Sequence, residues 1–149
     1  MAYLVDTSIL IRLANVTDAN FAAADRAVAE LRLRGEILHL TAQNLIEFRN
    51  VATRPKAVNG LGLTIRETAL KSAIFEGSFG LLHETPDIYP AWKALVAALG
   101  VIGKQVHDAR LVAVCHVHKV THLLTFNLAQ FNTLSTYGPG LIIVDPATV

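Results

Sequence analysis

The chain has 149 residues, 52% of them hydrophobic and 17% charged. That composition excludes a disordered polymer and fits one domain over residues 1–149 with a substantial core. With 13 basic and 12 acidic residues the net charge is +1, so bulk charge alone does not mark a nucleic-acid binder.

Tyr3-Leu4-Val5 reads as a short strand ending in Asp6-Thr7-Ser8, a polar group suited to starting a helix that Ile9 to Ala14 continue. Asp18 to Arg34 carries Phe21, Ala24, Val28 and Leu31 at helical spacing, and Gly35 is a natural stop. Ile37 to Leu40 is a second strand, and Thr41 caps a helix that runs to about Thr53 before Arg54-Pro55. Asn59 to Gly62 is a loop, and Thr64-Ile65-Arg66-Glu67 fits a capping box opening a fourth helix that ends at Gly77 to Gly80. Leu81 to His83 is a short strand, and Pro90 to Leu99 a helix opened by proline and closed by Gly100. His107 to Lys119 is an apolar helix, Val120 to Leu124 a strand, Leu128 to Leu134 a short helix and Leu141 to Val144 a last strand. Alternating strands and helices predict a mainly parallel sheet between helical layers, a three-layer α/β/α sandwich.

The stretch Ala94 to Gly103 is uncharged but too short for a membrane span, and Met1 to Asp6 lacks the basic region of a signal peptide. Cys115 stands alone, which excludes an internal disulfide and suits a reducing compartment. The expectation is a cytoplasmic protein that does not enter a membrane.

Ligands of open α/β sheets bind at the carboxyl ends of the strands. Asp6 follows the first strand there, and Thr125 and Asn127 follow the strand at Val120 to Leu124. Glu47 lies in the helix leaving the second strand, and Asp108 in the first turn of its own helix. Gathered carboxylates repel one another, so three on one rim call for a cation. Magnesium takes oxygen ligands, keeps several waters and stabilises charge on a phosphate. Each acid also has a structural reading. Asp6 suits a helix cap, Glu47 a solvated flank, and Asp108 a charge that complements its helix dipole or pairs with His107 or Arg110.

Together the motifs resemble the PIN-domain ribonucleases, and among them the VapC-type toxins of toxin–antitoxin pairs. Tyr3 to Leu10 is similar to the family's opening strand and first acid. Thr41 to Phe48, followed by Asn50 to Pro55, is similar to the second-acid helix; His107 to Ala113 to the third; and Leu123 to Asn127 with Phe131 to the final motif. The resemblance implies a PIN-like sandwich cutting RNA with Mg2+ or Mn2+ held by Asp6, Glu47 and Asp108. It implies Asn127 as a further ligand or water-positioning residue, and an antitoxin partner and homodimer. Thr7 and Thr125 would orient carboxylates or water, with helix-cap and turn roles equally open. Arg49, Arg54, Lys104 and Arg110 are candidates for phosphate contacts, beside a reading as plain surface charges. The chain departs from the pattern at Gln130, where the family often has an acid, so one well-held ion is expected, with a second recruited weakly.

Cys115, His116 and His118 do not converge on one face for a metal, and Tyr89 and Trp92 are read as packing residues with base stacking as the lesser option. Two rivals stand beside the ribonuclease. One is a non-catalytic PIN-like module that binds RNA or protein, motivated by Gln130. The other is a phosphatase or DNA nuclease. A phospho-aspartate phosphatase needs a second aspartate two residues after the first, where this chain has Ser8.

Overall fold

In the computed structural model, which describes residues 1–149, strands and helices alternate from the first residues. They are β1 (Ala2–Val5), α1 (Thr7–Leu13), α2 (Phe21–Leu33), β2 (Ile37–Thr41), α3 (Ala42–Thr53), α4 (Ile65–Ser78) and β3 (Gly80–Leu82). The second half holds α5 (Ile88–Leu99), α6 (Gln105–His118), β4 (His122–Leu124), α7 (Leu128–Asn132) and β5 (Ile142–Val144). The five strands form one sheet in the order β3-β2-β1-β4-β5. Every neighbouring pair is parallel, with Tyr3 opposite Leu38 on one side and His122 on the other.

Parallel sheets need both faces covered, and strand parity divides the work. On β1, Tyr3 and Val5 join one core with Ile9, Val28, Phe48 and Phe75, under α1 to α4. Leu4 joins the other with Leu95, Leu111, Val112 and Phe131, under α5 to α7. The sandwich expected from the sequence is therefore present, and its sheet is wholly parallel.

Helix α1 starts at Thr7, as the polar group Asp6-Thr7-Ser8 suggested, because the Asp6 side chain caps it. Several other boundaries differ for local reasons. Helix α2 starts at Phe21 rather than Asp18, because Asp18 Oδ1 accepts the Asn20 N–H at 2.8 Å and holds a turn there. Pro90 is the third residue of α5, not its first; it is tolerated because first-turn N–H groups have no helical partner. Helix α6 begins at Gln105, two residues before His107, which still leaves Asp108 in its first turn. Lys119 is not helical but its left-handed cap, with φ 57°. Strand β4 begins at His122, α7 ends at Asn132, and Leu134 falls in a separate 3-10 turn.

Strand order reverses between β1 and β4: the chain steps outward through β2 and β3, then returns to the other side of β1. In such sheets a crevice opens beyond the carboxyl ends of the two strands at the reversal. Asp6 follows β1 and Thr125 follows β4 at this point. No helix of the protein is long and apolar enough to cross a membrane.

Candidate active site

Asp6 is the joint between β1 and α1, and it is buried, 3% exposed. Its Oδ2 accepts from Ser8 Oγ at 2.7 Å and Thr125 Oγ1 at 2.8 Å, with the Ser8 N–H at 3.4 Å. The Ser8 hydroxyl also accepts the Phe126 N–H at 3.2 Å, and the Thr125 hydroxyl accepts the Asn127 N–H at 2.9 Å. Two hydroxyls thus lace the end of β1 to the loop after β4 and fix the rotamer of Asp6.

Glu47 is fixed by a parallel device. Thr7 Oγ1 donates to Oε2 at 2.7 Å, and Gln43 Nε2 donates to Oε1 at 2.8 Å. Thr7 in turn accepts from Asn44 Nδ2 at 3.2 Å, and Gln43 also donates to the His107 carbonyl at 2.8 Å. Asn44 closes a capping box with Thr41 at the start of α3, so the cap that starts the helix also orients the side chain holding Glu47.

Asp108 approaches from α6, half-buried. None of the four ion pairs includes it. Arg110, one of the partners suggested by sequence, instead pairs with Glu84 and donates to Gln43 Oε1. Burial, then the carboxylates of Asp6 and Glu47, push the Asp108 acid up to about 6, with His107 opposing weakly.

Asp6, Thr7, Ser8, Glu47, Asp108 and Asn127 line one open cleft of about 300 Å³. The sequence-predicted acids are therefore brought to a common space. They do not form a ready-made cage, since no three His, Cys, Asp or Glu side chains stand close enough together to hold one ion. The donor set is all oxygen and electrostatically strained at Asp108, which fits a hard divalent cation that keeps part of its water shell.

The remaining candidates divide. Thr7 and Thr125 bind the carboxylates they were expected to orient. Asn127 is exposed on the cleft wall, whereas Gln130 does not line it. Arg110 lines the neighbouring cleft with Gln43, Glu84 and His107 rather than the acidic one. Arg49 lies farther along α3 beside Glu76, and neither Arg54 nor Lys104 lines the acidic cleft. Sequence reasoning missed Gln43, Asn44 and Arg12. Gln43 sits four residues before Glu47, the helical spacing at which side chains meet, and was legible on that ground. Cys115 is buried and its thiol pushed far up by that burial; His116 packs on Tyr137 and His118 on the His83 carbonyl, so the three make no cluster.

A family model for the PIN domain matches residues 3–133. The chain belongs to the PIN domain family. Among curated protein sequences none matches it significantly. Solved PIN structures share the fold at low identity. The VapBC2 complex of Rickettsia felis, bound to a promoter DNA fragment, matches at TM-score 0.70 and 17% identity over 97% of this chain and 98% of that one. VapBC-1 of nontypeable Haemophilus influenzae matches at 0.68 and 16%, over 98% of each chain. Mycobacterium tuberculosis VapC20, described as a sarcin-ricin loop cleaving toxin, matches at 0.63 and 20%, over 87% of this chain and 93% of that one.

Proposed function

We propose that this PIN-domain protein is a single nuclease domain that cuts RNA phosphodiester bonds with Mg2+ or Mn2+ at the cleft of Asp6, Glu47 and Asp108. The observation that carries the reading is the convergence of Asp6, Glu47 and Asp108 on one cleft with no ion pair to any of them, which together with burial pushes the Asp108 acid up. A divalent ion bound there supplies Lewis acidity at the phosphate and acidifies a water. The protein's own groups hold the acids ready. Ser8 and Thr125 fix one oxygen of Asp6, Thr7 and Gln43 fix both oxygens of Glu47, and Asn127 offers an amide on the wall to orient water.

The solved neighbours that carry antitoxins support a toxin role and an antitoxin partner. Exposed Ile65, Leu70 and Ile74 on α4 offer apolar surface for that partner or a second copy of the chain. A cytoplasmic setting goes with this reading, supported by the lone buried thiol.

The test is cleavage of RNA and DNA side by side in Mg2+ or Mn2+. RNA should be cut, and Asp6→Asn and Asp108→Asn should each lose at least about a hundredfold in rate. Equal cutting by wild type and both variants would sink the assignment. A second reading, a non-catalytic RNA- or protein-binding module, is favoured by the missing cage and by Gln130 outside the cleft. Calorimetry decides between them, since a module of that kind takes up no manganese.

A further inference from the structure

Arg12 is the one cation among the residues lining the acidic cleft. It lies in the last turn of α1, four residues after Ser8, and so shares a face of that helix with the hydroxyl that holds Asp6. Its guanidinium carbon stands 5.7 Å from the centre of the Phe126 ring, and Phe126 is laced to Ser8 through its N–H. The side chain is 29% exposed, and its Nε is buried with no hydrogen-bond partner. The nearest counter-charge, Asp18 Oδ2, is 3.7 Å from that nitrogen, outside hydrogen-bond reach.

A surface arginine turns its donors to water, and a structural one hydrogen-bonds its counter-ion. The buried Nε of Arg12 has only a loose ion pair with Asp18 and no hydrogen bond. The side chain is seated on an aromatic ring beside a cleft whose other charged groups are all carboxylates. The planar guanidinium fork matches phosphate oxygens. Without it, the protein side chains of this cleft present a polyanion with like charge alone.

We propose that Arg12 is the phosphate-binding residue of the cleft, taking a backbone phosphate of the RNA strand beside the acids, with Asp18 as the counter-ion that the phosphate displaces. The proposal rests on the nuclease reading above.

The experiment is steady-state cleavage of a short single-stranded RNA in Mg2+ at several KCl concentrations, with melting temperatures for every variant. Arg12→Ala should lower kcat/KM about tenfold or more, the loss of one charge-assisted hydrogen bond. It should also make the fall of log kcat/KM with log[KCl] shallower by about 0.7, the signature of one lost phosphate contact on a single strand. Arg12→Lys should keep the salt slope while losing part of the rate, because an ammonium keeps charge but not the fork. Asp18→Asn should lower KM, since the competing carboxylate is gone. Arg66→Ala, on the exposed surface of α4, should leave rate and slope as they are. If Arg12→Ala proves unfolded, the Arg12→Lys and Asp18→Asn measurements carry the test. Cleavage by wild type with an unchanged slope in folded Arg12→Ala, or a KM unmoved in Asp18→Asn, overturns the Arg12 assignment alone. No cleavage by wild type overturns the nuclease reading and this assignment with it.

Discussion

The hydroxyls of Ser8 and Thr125 both end on Oδ2 of Asp6, from residues 117 positions apart in the chain. Thr125 is fully buried. Thr125→Val keeps its shape and deletes the donor, leaving Asp6 and the Asn127 N–H each one partner short. The expected loss is about 1–3 kcal/mol of stability, read from urea unfolding with an unchanged slope. Asp108 presents the opposite case, a group whose charged form the fold disfavours. Its acid is raised from 3.8 to about 6. A group raised in the folded state contributes stability that is present below the unfolded value and lost as pH rises through the folded one. In chelator, wild type should therefore lose stability relative to Asp108→Asn between about pH 4 and pH 7. Solvent screening at this half-exposed carboxylate trims the difference to about 1 kcal/mol at pH 8. Melting curves at about pH 3 and pH 8 check it: the two proteins should agree at the lower pH, below the unfolded value, and the variant should melt higher at the upper one. Asp6 and Asp108 were legible in the sequence because a strand end and a helix start mark the rim, and Glu47, inside α3, through the motif it shares with the PIN family. The lacing of Ser8 and Gln43 was not, because a side chain's hydrogen-bond partner depends on what a distant segment brings near it.

At the scale of elements, two capping boxes do different work. Thr64 and Glu67 start α4 on the exposed surface, and both were readable from their spacing. Thr41 and Asn44 start α3 in the interior, where an asparagine replaces the usual acid. Asn44 is fully buried; its Oδ1 accepts from the Thr41 N–H and hydroxyl, and its amide donates to Thr7. Asn44→Ala should cost about 2–3 kcal/mol, because buried donors lose their partners along with the cap. Thr64→Ala should cost about 1 kcal/mol, the ordinary loss of an exposed cap. Chemical denaturation of the pair measures the difference, and equal losses would show that burial adds nothing at Asn44. The sequence showed Thr41 as a cap but not Asn44 as a bridge, since only the packing of α1 against α3 brings Thr7 to it.

For the whole molecule, β1 is the pivot. It sits between β2 and β4, and its residues face two separate cores. Leu4 is fully buried in the core under α5 to α7. Leu4→Ala should cost about 3–4 kcal/mol, the transfer loss plus an unfilled cavity at a site hemmed in on both edges. Unfolding should stay a single transition, because the same strand carries Tyr3 and Val5 into the opposite core. Separate transitions for the two cores, seen by different probes, would contradict this.

The sequence by itself determined the alternation of elements, the helix starts at Thr41 and Thr64, the parallel sandwich and the rim positions of Asp6, Glu47 and Asp108. These are local signals, since periodicity, caps and turn residues act over a few positions. Tertiary structure alone decided the strand order, and with it the reversal beside β1 that makes the cleft. It decided that Arg110 turns to Glu84, that Gln130 lies off the cleft, and that Arg12 lies in it. It also decided how far the three acids disturb one another, because charge interaction depends on distance and burial, and neither is written in the spacing of residues along the chain.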